Sequence, residues 1–171
     1  MGGPPPTPGV PRPGELVDRF LARLIDGIGL GIIYGVLYAI FAGIFLNGLT
    51  YSTGEWLLFY LFFSVVTTLI SLGYYAFFES NQGATFGKQL MKLKVVGPDG
   101  TSNPTMEQAI RRNIFMAFGL ASIVPFVGQV VGGLASLVAV IMIAVGINND
   151  TVARQAWHDR FAGGTRVFKI G

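Results

Sequence analysis

The chain of 171 residues contains no cysteine, a single histidine and little charge. The absence of cysteine excludes disulfides, thiol chemistry and Cys-based metal sites. His158 alone cannot build a multi-histidine metal centre, and no metal or other cofactor is expected. Charged residues make up only 12% of the sequence, whereas a soluble domain carries about 25%. Set beside 51% hydrophobic residues, that deficit points to lipid rather than water as the main solvent. The net charge of +3 does not imply nucleic acid, because the cations flank apolar runs and do not form a basic polar face.

Long apolar runs are what the chain does have. Residues 24–46 carry one charge, Asp26, and at about 1.5 Å per helical residue they cover the ~30 Å hydrocarbon core of a bilayer. Gly27, Gly31, Gly35, Ala39 and Gly43 fall four apart and share one helix stripe, a pattern that lets a second helix backbone come close. Residues 56–78 form a second uncharged run, rich in aromatics expected toward lipid and at the interfaces. Residues 114–147 are also uncharged, but as one helix they would extend ~51 Å, too far for a single span. Val124-Pro125-Phe126-Val127-Gly128 marks a break. Either a tight hairpin crosses twice, with spans near 112–125 and 128–147, or 114–124 lies in the interface and only 128–147 crosses.

Charge distribution favours the hairpin. Of the twelve Lys and Arg, three precede the first span, none lies in 47–55, five lie in 79–113 and four follow residue 147. Positive loops stay cytoplasmic, so the N-terminus, 79–113 and the C-terminal segment belong inside, which requires an even number of crossings. The expectation is an all-α membrane protein: a bundle of about four transmembrane helices with a small cytoplasmic β element. The β element comes from the alternating stretches 90–96 and 165–170, which can pair if they share a membrane face. Residues 1–14, with six prolines and four glycines, are expected to form a disordered or extended tail ahead of one membrane domain, 15–171. Thr105 and Gln108 have the spacing of a capping box opening a short helix.

The ionisable residues near the membrane edge are Arg19, Arg23, Asp26, Glu79, Arg111, Arg112, His158 and Asp159. Arg23 and Asp26 are spaced to pair directly. In the four-span arrangement all eight lie on one side and can form one polar cluster. It is either a structural network fixing helix ends or an ion and proton path in which Asp26 changes protonation. Gly83-Ala84-Thr85-Phe86-Gly87-Lys88-Gln89 departs from a phosphate loop, with three residues between its glycines instead of four and glutamine after the lysine. No nucleophile–base pair lies within the spans, so an enzyme is not expected.

Several blocks together carry a family resemblance. Arg19-Phe20-Leu21-Ala22-Arg23-Leu24-Ile25-Asp26-Gly27, Phe78-Glu79, Gly83 to Leu90, Val95 to Gly100, Ala109-Ile110-Arg111-Arg112-Asn113 and Trp157 to Thr165 occur in the order found in the RDD family of small prokaryotic membrane proteins. The chain resembles that family from about residue 16 to 170. The arginine and two aspartates of the family's name fall on Arg19, Asp26 and Asp159, with Arg112 matching a further arginine. Gly164 departs from the usual Ala-Gly-Thr ending. The resemblance implies a multi-pass protein of the bacterial plasma membrane, to which the charge distribution adds a cytoplasmic N-terminus. It also implies a link to sodium–proton antiport, as in some members. Two functions follow as expectations: cation or proton exchange by a homo-oligomer using Asp26, Asp159 and Arg19, or a non-catalytic subunit docking to a larger membrane complex. Gly27, Gly31, Gly35 and Gly43 would supply the helix-packing seam, and Glu79 and His158 complete the candidate ion or proton site.

Overall fold

The computed structural model describes residues 11–46 and 52–171; most of the proline-rich tail and of the first polar loop lies outside them. In chain order the elements are β1 (Arg12–Pro13), α1 (Leu16–Phe45), α2 (Thr53–Gln82), α3 (Phe86–Leu90), β2 (Leu93–Val96), α4 (Met106–Asn113), a 3-10 helix (Ile114–Ile123), α5 (Val127–Asn149), α6 (Trp157–Phe161) and β3 (Arg166–Lys169). Among the described residues, three helices are long and apolar enough to cross a membrane: α1, α2 and α5.

α1 and α2 run antiparallel. Asp26 meets Tyr74, the Tyr34 hydroxyl meets Ser71, and the Tyr38 ring packs edge-on against Phe59 and Phe63 at 5.1 and 5.7 Å. The aromatics of α2 are therefore divided between two environments. Phe62 and Phe77 face outward, but Phe59 and Tyr75 are buried against α1 and the polar cluster, whereas the expectation put the aromatics toward lipid and at the interfaces. Edge-to-face rings at this spacing add specific packing where lipid supplies no hydrophobic drive. Ser52 opens α2 through a capping box with Glu55, and Gly83 closes it at φ 72°, a left-handed conformation that glycine adopts without a Cβ penalty.

The expected span at 112–125 is not one helix. Arg112 and Asn113 end α4, residues 114–123 wind as a 3-10 helix, and Pro125 stands at the break before α5. The 3-10 helix then folds back on α5. A Cβ on Gly128 would lie 1.7 Å from the Ala121 carbonyl oxygen, and one on Gly132 would lie 2.6 Å from that of Phe118. These two glycines let the legs of the hairpin touch backbone to backbone.

A three-stranded antiparallel sheet, ordered β1-β3-β2, closes one end of the bundle. The two alternating stretches do pair, Val95 opposite Val167. Arg12–Pro13, assigned by composition to the tail, adds an edge strand, the place in a sheet where proline is tolerated. Leu93, Val95 and Val167 bury their side chains against Ala22 of α1. The sheet thus holds the chain before α1, the chain after α2 and the C-terminal segment at a common end. The glycine stripe behaves differently from a seam inside the bundle. A Cβ at Gly27, Gly31, Gly35 or Gly43 would meet nothing within 4 Å, so none of the described helices of this chain packs on it.

Candidate functional site

Charged side chains converge where the sheet end meets the helices. Asp159 and Glu79, both fully buried, anchor a continuous series of contacts. Asp159 Oδ2 lies 3.4 Å from Arg19 Nη1, and its Oδ1 lies 3.3 Å from Arg112 Nη2. Arg112 Nε is 3.9 Å from Glu79 Oε2, and the Lys88 ammonium pairs with Glu79 Oε1. The Asn113 amide donates to Glu79 Oε2 at 3.2 Å, while its oxygen accepts from Arg23 Nη2 at 2.8 Å. Arg19 also donates to the carbonyls of Gly14 and Arg154 at 3.0 and 2.7 Å, fastening the C-terminal segment to the start of α1.

The local sequence explains the placement. Asp159 sits in the first turn of α6 and accepts from the Ala156 backbone N–H at 3.2 Å, a favourable position for a carboxylate. Gly163 and Gly164 then turn the chain at φ 88° and 97°. The extra glycine lengthens the turn while the Gly164 N–H still donates to the Asp159 carbonyl at 2.9 Å, so β3 begins at Arg166 with Asp159 undisturbed. Gly83 reverses the chain after α2, which carries Lys88 back onto Glu79 nine residues earlier.

Asp26 occupies a separate cradle. Its Oδ1 accepts from the Tyr74 hydroxyl and the Gly87 N–H, each at 2.7 Å, and its Oδ2 accepts from the Thr85 hydroxyl at 2.6 Å. It makes no ion pair with Arg23. That guanidinium instead reaches Asn113 and lies over the rings of Tyr75 and Phe115, 4.6 and 5.0 Å from their centroids. Spacing along the helix brought the two within reach, but Tyr74, Thr85 and Gly87 supply Asp26 with three donors, and Tyr75 and Phe115 supply Arg23 with aromatic faces. Arg111 stands outside the cluster and pairs with Glu107 at the surface at 2.5 Å.

A cavity of about 130 Å³, enough for several waters, opens beside the cluster. Its polar wall is Arg19, Arg23, Asp26, Lys88, Arg112 and His158. The opposite wall is apolar, with Leu16 and Phe20 from α1 and Val140, Ile143, Ala144 and Ile147 from α5. Asp26 and the Asp159 neighbourhood therefore border one space, as a shared polar cluster requires.

Environment sets the protonation of the groups outside the long helices. Burial pushes Lys88 down to about 8, opposed by Glu79 and helped by Arg112 and Arg23. Burial likewise pushes His158 down to about 3, against the pull of Asp159 and with the repulsion of Arg112, Arg23 and Arg19. Burial works to raise Asp159, but Arg112 and Arg19 more than offset it and hold it below the usual carboxylate range. A histidine whose folded value lies below its free value of 6.5 stabilises the fold above 6.5 and loses that contribution as pH falls. Lys88 adds no slope there, because its contribution changes only between about 8 and 10.5. Thermal unfolding in detergent should therefore drop steadily from pH 6.5 to 4.5, and His158→Gln should flatten that slope. A wild-type midpoint that does not move over this window would overturn the assignment.

Of the residues expected to form the site, Arg19, Glu79, Arg112, His158 and Asp159 lie in one contact series, and Asp26 borders the same cavity outside that series. Sequence reasoning missed Lys88, Thr85, Gly87, Tyr74 and Asn113. The first three sit in the block that was compared with a phosphate loop. There Gly87 serves a close approach instead: a Cβ would lie 2.0 Å from the Ala22 carbonyl oxygen.

A family model described as the RDD family matches residues 13–163. No curated protein and no solved structure matches the chain. The matched region includes the paired Arg19 and Asp159, the cradled Asp26 and three helices fit to cross a bilayer, and it spans most of the sequence. On that extent of match, the chain belongs to the RDD family.

Proposed function

We propose that this integral membrane protein exchanges an ion for a proton, as a homo-oligomer in the bacterial plasma membrane with its N-terminus in the cytoplasm. The observation that carries the reading is the cavity lined by Arg19, Arg23, Asp26, Lys88, Arg112 and His158 at the sheet end of the bundle. Buried ion pairs are a weak device for stability alone, since well-packed apolar residues serve as well or better. Their concentration around a space beside the bilayer favours ion handling. Asp26 is the carboxylate that borders the cavity without an ion pair, so it is the group able to trade a cation for a proton. Asp159, clamped by Arg19 and Arg112, is the fixed counter-charge. Lys88, near 8, is a second group that can exchange a proton at neutral pH.

Four crossings suit this arrangement. The sheet keeps both ends of the described chain together, and the stretch between α4 and α6 leaves that end and returns. The outward leg is short: ten residues of 3-10 helix rise only ~20 Å. Four spans are few for alternating access, so neighbouring copies would complete the path. The bare glycine stripe on α1 suits such a contact. That same bare stripe favours the second reading, a non-catalytic subunit docked on a larger membrane complex. No enzyme activity is proposed.

The test is sodium-driven proton flux in proteoliposomes, with the protein first purified in mild detergent. The expected result is a clean homo-oligomer whose flux depends on pH and falls at least tenfold in Asp26→Asn. Absent flux, or flux unchanged by that substitution, rejects exchange, and a stoichiometric foreign partner favours docking. Because the chain has no cysteine, a single Phe126→Cys at the hairpin tip reports topology. Four crossings expect labelling by an impermeant maleimide from outside, and labelling only after permeabilisation would reject them.

A further inference from the structure

The cavity walls are unequal in charge. Arg19, Arg23, Lys88 and Arg112 line it, and the carboxylates that face or pair with them are Asp26, Glu79 and Asp159. One positive charge is left over, and His158 does not offset it. Arg23 is the cation without a carboxylate partner: it bonds to the Asn113 amide oxygen and lies over rings. Two buried nitrogens are also unsatisfied. Arg112 Nη1 and His158 Nδ1 have no hydrogen-bond partner, although their residues are only 3% and 5% exposed and both line the cavity. A buried guanidinium N–H without an acceptor is costly, and a surplus positive charge in a low dielectric is costlier still. An oxyanion answers both, since guanidinium groups match its geometry.

The other wall says what the oxyanion is attached to. Phe20 and Val140 belong to the cavity yet are 62% and 48% exposed on the apolar outside of the bundle, so the space continues from the cations to the lipid-facing surface between α1 and α5. A free ion would leave that apolar wall unused.

We propose that this cavity binds the phosphate headgroup of an anionic phospholipid, with Arg23, Arg112 and His158 around the phosphate and its chain along the α1–α5 wall. The inference does not rest on ion exchange, and its test measures no flux.

The full-length protein would be reconstituted in phosphatidylcholine nanodiscs containing a minor share of phosphatidylglycerol. It would then be transferred to detergent, and retained lipid would be counted by native mass spectrometry. The expected result is one retained phosphatidylglycerol per chain, preferred about tenfold or more over phosphatidylcholine after correction for abundance. Arg23→Gln removes the cation that lacks a carboxylate, and Ala144→Leu fills the apolar wall without touching a charge. Each should lower retention about tenfold. If Arg23→Gln fails to fold, Ala144→Leu decides by itself. Equal retention of the two lipids, or unchanged retention in the folded variants, would overturn the proposal. A separate arm adds millimolar inorganic phosphate to delipidated protein. It is expected not to raise the unfolding midpoint, whereas phosphatidylglycerol is. Equal stabilisation by phosphate alone would overturn the lipid assignment in favour of a free anion.

Discussion

Asp159→Ala is expected to destabilise the protein by about 3–5 kcal/mol, the range for deleting one partner of a buried ion pair, and to deplete it from the membrane. The carboxylate is fully buried and faces two arginines, at 3.4 and 3.3 Å. Alanine removes both attractions at once and leaves two largely buried guanidinium groups with no anion between them. It also removes the acceptor for the Ala156 N–H and for the Thr165 hydroxyl at 3.3 Å, so the first turn of α6 and the start of β3 loosen together. Asp159→Asn keeps the shape and some of these hydrogen bonds, so its loss should be smaller while remaining well above 1 kcal/mol. The companion Arg19→Gln identifies the coupling. Its effect and that of Asp159→Asn should fail to add, by about 0.5–3 kcal/mol as for residues in one network, because the second change acts on a pair already broken. Equilibrium unfolding in mixed micelles reads all three quantities. An Asp159→Ala loss below 1 kcal/mol would show that the pair is not the clasp described here.

Gly87→Ala should rank second in effect, although it adds a single methyl group. Its Cβ would lie 2.0 Å from the Ala22 carbonyl oxygen and 2.9 Å from Asp26 Cγ. The first is backbone and the second is a carboxylate held by three hydrogen bonds, so α3 must move off α1. The Gly87 N–H bond to Asp26 at 2.7 Å then lengthens, and Thr85 and Lys88, carried on the same short segment, shift away from Asp26 and Glu79. Overpacking usually costs 1–3 kcal/mol and occasionally more; a backbone-to-backbone clash that also breaks two buried polar contacts belongs at about 3 kcal/mol or above. Gly31→Ala is the control, because its Cβ would meet nothing within 4 Å and alanine is the better helix former. The expected order is a large loss at Gly87 and little change or a slight gain at Gly31. Equal tolerance of both would mean that α3 does not sit against α1 as described.

The contrast between these two glycines shows where sequence reading stops. The four-residue spacing marked Gly31 as suited to a close approach, whereas Gly87 stood out only in a block compared with a phosphate loop. In α1 the four-residue spacing is a genuine periodicity, but periodicity records only that a face is smooth. It does not record whether another helix of the same chain covers that face, and none of the described helices does. Gly87 and Gly128 belong only to single four-residue spacings, with Gly83 and Gly132, yet each is where two backbones touch. Lys88 illustrates the same gap for charge. In sequence it is one lysine among several in a polar loop, and only the reversal at Gly83 brings it to Glu79.

What the sequence by itself determined is the solvent, the positions of the long apolar helices, the break near Pro125, the capping box at Thr105, the pairing of the two alternating stretches and the family. Each of these depends on composition or on neighbours a few residues apart, where local sterics and hydropathy decide. Tertiary structure alone decided the rest. Asp159 took both Arg19 and Arg112, Asp26 was given to α3 instead of Arg23, and Arg112 was drawn inside while Arg111 stayed at the surface. The physical reason is that a buried charge is stabilised by whichever opposite charge or dipole the fold brings within about 4 Å, against a desolvation cost that falls on it only once it is buried. Both depend on contacts across 34 to 140 residues of chain, and no local pattern encodes them.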